Sequence, residues 1–212
     1  ELVDSIRVGC GEGFLIGIRL PGNDGLPNSI DWDEAGKIAD TLTGSCRLDY
    51  VNFVQGTHAW TLHMYVPDLH MPRGTYVDEI GRLRSHCNGV PVASTGRIVE
   101  PAQAEGILAA GKADFVMIGR ALVADPAWGL KARQNRDGDI RKCVSSNHCW
   151  GETVLGNPIA CDNNPRVART DEVDWWPKRV KKARRITVVG GGIAGLETAW
   201  VAAARGHHVT LF

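Results

Sequence analysis

Short apolar runs rich in branched residues alternate with stretches of helical period, and this alternation is the tightest constraint on what the chain can fold into. The apolar runs lie at residues 14–20, 48–54, 90–94 and 113–118, each bounded by glycine or polar residues. Runs of that length and character read as buried parallel strands. Between them, residues 32–42, 76–86 and 101–110 carry apolar positions at helical spacing, the last opening on Pro101 after Glu100. Strand and helix in strict alternation predict βα units around a parallel sheet. The strands start 34, 42 and 23 residues apart, spacings that βα units allow. Four such units are half of a (β/α)8 barrel, which takes about 250 residues. A doubly wound sheet has the same spacing, so periodicity leaves both open.

The rest of the chain changes character twice. Residues 127–141 are helical and charged, while 142–176 hold three cysteines, three tryptophans and many turn residues with little periodicity. The basic stretch 178–185 reads as a solvated linker face. Lys and Arg total 24 against 24 Asp and Glu, so there is no basic footprint for nucleic acid. No apolar run approaches the ~20 residues that span a bilayer. The chain opens Glu1-Leu2-Val3-Asp4, without a signal peptide or an initiating methionine. The expected location is cytoplasmic, and Cys10, Cys46 and Cys87 are expected to be reduced thiols.

Glycine makes up 25 of 212 residues and gathers in loops. Gly190-Gly191-Gly192-Ile193-Ala194-Gly195 fits G-x-G-x-x-G directly after the strand 186–189 and before an Ala-rich helix, with a second strand at 208–212. Gly190 permits the tight turn, Gly192 lets the backbone approach a pyrophosphate, and Gly195 lets helix and strand pack closely. The acid that would bind the ribose falls about 20 residues on, so FAD, NAD(P) and a bound ADP all stay open.

Two further patterns carry chemistry. Cys143, Cys149 and Cys161 lie within 19 residues of a loop-rich segment, which suggests metal ligation by soft thiolates: zinc, copper(I) or an iron–sulfur cluster. His148 offers a route to a Cys3His zinc site. The third and fourth strands are each followed by Gly-Arg, at Gly96-Arg97 and Gly119-Arg120. Paired loops of this kind bind phosphate after the last strands of (β/α)8 barrels. Arg19 lies inside an otherwise apolar strand, where a buried charge needs an anionic or polar partner.

These residues together resemble the trimethylamine dehydrogenase / 2,4-dienoyl-CoA reductase family. Its members join an Old-Yellow-Enzyme-type FMN barrel to an iron–sulfur segment and a dinucleotide-binding domain. The likeness covers essentially the whole chain: Gly-Ile-Arg-Leu at 17–20, Ser-Thr-Gly-Arg-Ile at 94–98, Gly-Arg-Ala-Leu-Val-Ala-Asp-Pro at 119–126, Asp-Ile-Arg-Lys-Cys at 139–143, and the glycine loop. It implies the C-terminal half of an FMN barrel at 1–135, a cluster segment at 136–178 and the start of a Rossmann-type domain at 184–212. It also implies a longer parent chain, expected to be homo-oligomeric, from which the half-barrel alone folds poorly.

The resemblance assigns roles. Arg19 contacts the flavin near N1 and the C2 oxygen, and Gly96, Arg97, Gly119 and Arg120 hold the FMN phosphate. The amine dehydrogenase motif C-x2-C-x2-C-x11-C becomes Cys143, Ser146, Cys149 and Cys161 here, with serine at the second ligand. The expected group is a [4Fe–4S] cluster, with a [3Fe–4S] cluster, zinc through His148 and an empty site as alternatives. Trp60 falls near an aromatic substrate position, beside His58 and His63 in the loop after the second strand, where barrel active sites lie. The expected activity is oxidative N-demethylation of a small methylated amine, with electrons passing from FMN to the cluster and on to a carrier. The alternatives are an NAD(P)H-dependent reductase of enones or enoyl thioesters, and a zinc-structured or inactive fragment.

Overall fold

The computed structural model describes residues 1–212, which divide into two compact units, 1–169 and 170–212. The first unit opens with α1 (Leu2–Cys10) and continues through β1 (Gly17–Asn23), α2 (Trp32–Ser45), β2 (Tyr50–Gln55), α3 (Leu62–Tyr65), α4 (Val77–Leu83), β3 (Val92–Ser94) and α5 (Pro101–Ala109). It ends with β4 (Phe115–Val116), α6 (Arg120–Ala124), α7 (Trp128–Arg133) and α8 (His148–Val154). The second unit is β5 (Arg185–Val188), α9 (Ile193–Ala204) and β6 (His208–Leu211).

Strands β1 to β4 form one sheet in sequence order, and every neighbouring pair is parallel. This order separates the two topologies that periodicity left open. A doubly wound sheet reverses its strand order at a switch point, whereas here each crossover advances in the same direction. The sheet is an arc of a (β/α) barrel. All four strands deliver their C-terminal ends to one rim.

Local signals set the element boundaries. Asp31 caps α2, its carboxylate accepting the Glu34 N–H at 2.9 Å, and Asp33 and Glu34 add negative charge in the first turn. Pro101 sits in the first turn of α5, where its missing N–H costs nothing. One face of α2, with Ala35 and Ala39, packs with Leu20, Val51, Phe53, Ile80, Leu83 and Val92 in the main core. A second cluster gathers Val77, Ile98, Ala104, Ile107, Ala121, Trp128 and Ile140. Strand β2 lies between β1 and β3, so its polar Asn52 is buried and must be fully paired. Its Nδ2 donates to the Ala93 carbonyl at 3.1 Å, and its Oδ1 accepts from Arg19 Nε at 3.0 Å.

Two charged contacts close the ends of the unit. Buried Arg7 donates to Asp49 Oδ2 at 2.6 Å, and the same oxygen accepts the Ile16 N–H at 2.7 Å. These donors, the Ile16 N–H first and Arg7 second, hold the Asp49 carboxyl below its ordinary range. At the far end, Asp125 is buried between α6 and α7 and accepts from Ala127 N at 3.0 Å, Lys131 Nζ at 2.7 Å and Arg141 N at 2.9 Å. Lys131 Nζ also donates to the Asp139 carbonyl at 3.1 Å.

The second unit is a parallel βαβ, with Arg185 opposite His208 and Val188 opposite Leu211. The three glycines of its loop differ in their surroundings. Gly190 has φ +104°, a conformation that L side chains rarely adopt. A Cβ on Gly195 would lie 1.8 Å from the Gly190 carbonyl oxygen, whereas one on Gly192 would meet nothing within 4 Å. Trp200 of α9 packs against Trp175 and Trp176, with ring centroids 6.3 and 5.5 Å apart. No helix in the chain is long and apolar enough to cross a membrane.

Two outcomes are expected. Lys131→Met leaves the Asp125 carboxylate buried without its counter-charge, and chemical denaturation should show a loss of about 3–5 kcal/mol. For Asp49 the folded-state pKa is depressed, so its contribution is complete above the ordinary carboxylate range, near ~3.9. It is lost as pH falls through the lower folded value. Thermal midpoints of wild type and Asp49→Ala should therefore differ at neutral pH and converge on acidification.

Candidate active site and cysteine loop

At the rim formed by the strand ends lies a cavity of about 490 Å³. Arg19 from β1, Gln55 from β2, Thr95-Gly96-Arg97 after β3 and Ile118-Gly119-Arg120 after β4 all line it. Both Gly-Arg pairs thus reach one space. Gly96 (φ +111°) and Arg97 (φ 52°) are consecutive positive-φ residues, which turns the chain sharply at the end of β3. Arg19 faces this cavity and is exposed, contrary to the expectation of a buried charge. Its side chain is open to the cavity, and Asn52 is its polar partner.

Gln55 is a residue that sequence reasoning missed. It is 3% exposed, lines the cavity, and its Nε2 has no hydrogen-bond partner. A buried amide donor left unpaired is costly, and a polar ligand in the cavity would satisfy it. The only sequence signal was a polar residue ending an apolar strand. The three guanidinium groups of Arg19, Arg97 and Arg120, this orphan amide and open space at Gly119 form a wall suited to an anionic, hydrogen-bonding planar ligand.

The cysteine segment packs on this same rim. Arg97 Nε donates to the Ser145 hydroxyl at 3.1 Å, and its Nη1 reaches the carbonyls of Leu69 and Met71. Arg120 Nη1 donates to Asn147 Oδ1, while Asn147 Nδ2 donates to the Val66 carbonyl at 2.8 Å. The two arginines expected at a phosphate therefore also clamp the loop 143–149 to the barrel. Ser145 (φ 58°) and Asn147 (φ 63°) are left-handed, coiling the loop around Ser146. Burial lowers the Arg120 pKa, with the nearby Cys143 and Cys149 acting in the opposite sense.

Cys143, Cys149 and Cys161 ring a second, small cavity of about 20 Å³ that also meets Arg120, Ser146, His148 and Asp162. Cys143 and Cys149 border both cavities. Cys149 lies in the first turn of α8, a helix absent from the sequence expectation, and burial pushes its thiol pKa up. No three His, Cys, Asp or Glu side chains are close enough to hold a single metal ion. His148 is engaged by carboxylates instead: Nδ1 is 2.9 Å from Asp162 Oδ1 and Nε2 is 3.6 Å from Glu152 Oε1. Ser146 Oγ donates to Asp162 Oδ2. The donor set of three soft thiols with an adjacent oxygen fits an iron–sulfur cluster.

The three candidates after β2 fare differently. His58 is drawn to the cavity mouth, its ring 4.3 Å from Tyr65 and 5.7 Å from Trp150. Tyr65 and Trp150, 6.1 Å apart, both line the cavity. Trp60 is 82% exposed and does not line it, and His63 is exposed on α3. The aromatic surface at the cavity is supplied by Tyr65 and Trp150. Neither position was separable by spacing alone, because they are 85 residues apart and meet only when the cysteine segment packs on the rim.

Asn147→Ala removes two hydrogen bonds and places an ordinary residue in a left-handed conformation. The loop should open more readily by about 1–3 kcal/mol, read as a rise of roughly 5- to 150-fold in the alkylation rates of Cys143 and Cys149.

The model of the "NADH:flavin oxidoreductase / NADH oxidase family" matches residues 1–139. A probable N-methylproline demethylase of Rhizobium meliloti is 33% identical over all of this chain and 31% of its own length. An NADH oxidase of Thermoanaerobacter brockii is 34% identical over all of this chain and 32% of its own length. A solved 2-naphthoyl-CoA reductase in complex with 2-naphthoyl-CoA superimposes with a TM-score of 0.87 at 25% identity, covering 99% of this chain and 32% of that one. The chain thus spans about a third of the length of the proteins it matches. With a parallel barrel arc and a site at its C-terminal rim, the chain belongs to the NADH:flavin oxidoreductase / NADH oxidase family.

Proposed function

We propose that this chain carries the flavin-binding half of an enzyme that oxidises the C–H bond next to nitrogen in a small methylated amine. The observation that carries this reading is the aromatic wall of Tyr65 and Trp150, backed by His58, on the cavity that Arg19, Gln55, Arg97 and Arg120 also line. Aromatic faces attract an alkylammonium by about 0.5–2 kcal/mol each. The similarity to an N-methylproline demethylase agrees with that substrate class.

The residues divide the work. Arg97 and Arg120, with Gly96 and Gly119 allowing close approach, hold the phosphate of FMN. Arg19 and the orphan Gln55 amide face its polar edge. FMN bound there supplies the acceptor for a hydride equivalent, and the protein contributes position and charge. Arg19 places a positive charge where negative charge develops. Cys143, Cys149 and Cys161, with Ser146, hold the iron–sulfur cluster beside the same rim, and Gly190, Gly192 and Gly195 open a dinucleotide site. That Cys143 and Cys149 border both cavities supports a cluster next to the flavin.

Anaerobic addition of a methylated amine should bleach the flavin absorbance of the full enzyme. Trp150→Ala should weaken the amine by about 3- to 30-fold, while Trp60→Ala leaves it unchanged. Bleaching by NAD(P)H alone, with no response to amines, would instead establish the reductive reading that the likeness to 2-naphthoyl-CoA reductase favours.

A further inference from the structure

We propose that the cysteine-ringed cavity holds a cluster with one exchangeable corner iron, bound through oxygen at Ser146 and kept in place by Asp162. This rests on the cluster reading above and adds to it.

Three of the four motif positions present thiols to the cavity, and the fourth presents a hydroxyl. The hydroxyl is oriented, because Ser146 Oγ donates to Asp162 Oδ2 and accepts the His148 N–H at 3.4 Å. Asp162 is itself fixed by His148 Nδ1 at 2.9 Å through its other oxygen. The His148 ring is thereby turned to carboxylates and is not the fourth donor. Thiolates match the iron of a sulfide cluster better than a hard oxygen does. The corner at Ser146 is therefore held less tightly than the three at cysteine.

A [4Fe–4S] cluster with two ferric and two ferrous irons gives one electron to an oxidant such as ferricyanide and releases one ferrous ion. The three irons that remain are ferric, the four sulfides stay, and the charge of 2+ is conserved as 1+ on the cluster, 2+ on the ion and one electron transferred. Ferrous ion and one electron from dithionite reverse the step.

The test uses the full chain isolated anaerobically and treated with ferricyanide and EDTA, read by iron and acid-labile sulfide content and by EPR. Wild type should lose one iron in four, keep its sulfide, and gain the EPR signal of a three-ferric cluster. Iron and dithionite should abolish that signal. Ser146→Cys should keep all four irons under the same treatment. Asp162→Asn should release iron several-fold faster than wild type, and adding Ser146→Cys to it should restore retention, which a merely structural role of Asp162 would not predict. Equal iron loss from wild type and Ser146→Cys, or full retention by wild type, overturns the exchangeable corner and leaves the cluster standing. A metal without acid-labile sulfide overturns the cluster, and the corner with it.

Discussion

The carboxylate of Asp125 accepts three donors at once while nearly out of water: the Ala127 and Arg141 N–H groups and the Lys131 ammonium. The cysteine segment starts from that contact. The same contact ends α6, starts α7, and pins the chain at Arg141, two residues before Cys143. A charge pair of this kind contributes little net stability, since desolvation offsets the attraction, but it penalises every arrangement that separates the partners. This pins the start of the cysteine segment, Arg97 and Arg120 hold its loop to the rim, and the surface contact of Lys142 with Glu100 at 3.1 Å supplements both.

Around this anchor, Arg97 and Arg120 serve two neighbours each. Their guanidinium groups line the large cavity and also donate to Ser145 and Asn147 of the cysteine loop. Arginine suits both tasks because its planar fork presents several fixed donors and stays charged when buried. Two chemical sites are thus fastened through the same side chains. Trp150 extends the coupling, since it follows Cys149 in α8 and forms part of the wall of the large cavity.

The parts of the site that were legible in the sequence are those where local chemistry leaves few choices. A strand followed by Gly-Arg must turn and present a cation, and Gly96 and Arg97 do so with positive φ. Gly195 admits no side chain because its helix lies against the Gly190 carbonyl. Gln55 was passed over because a polar residue at the end of an apolar strand is a weak signal, and only its burial without a partner singles it out. Trp60 stood out by residue type in a promising loop, yet the turn into α3 leaves it in solvent. Arg19 was expected to be buried because its neighbours are apolar, but its side chain lines the open cavity.

By itself the sequence determined the alternation of strand and helix, the parallel sheet, the turn chemistry of three glycine loops and the grouping of three thiols. These follow from periodicity and residue type, which act over a few residues. Tertiary structure alone decided between a barrel arc and a doubly wound sheet, because strand order is a matter of long-range pairing. It also decided which aromatics face the cavity and that Asp162 orients Ser146. Those contacts join residues 16 to 85 positions apart, and their geometry depends on how the elements pack, which no local pattern encodes.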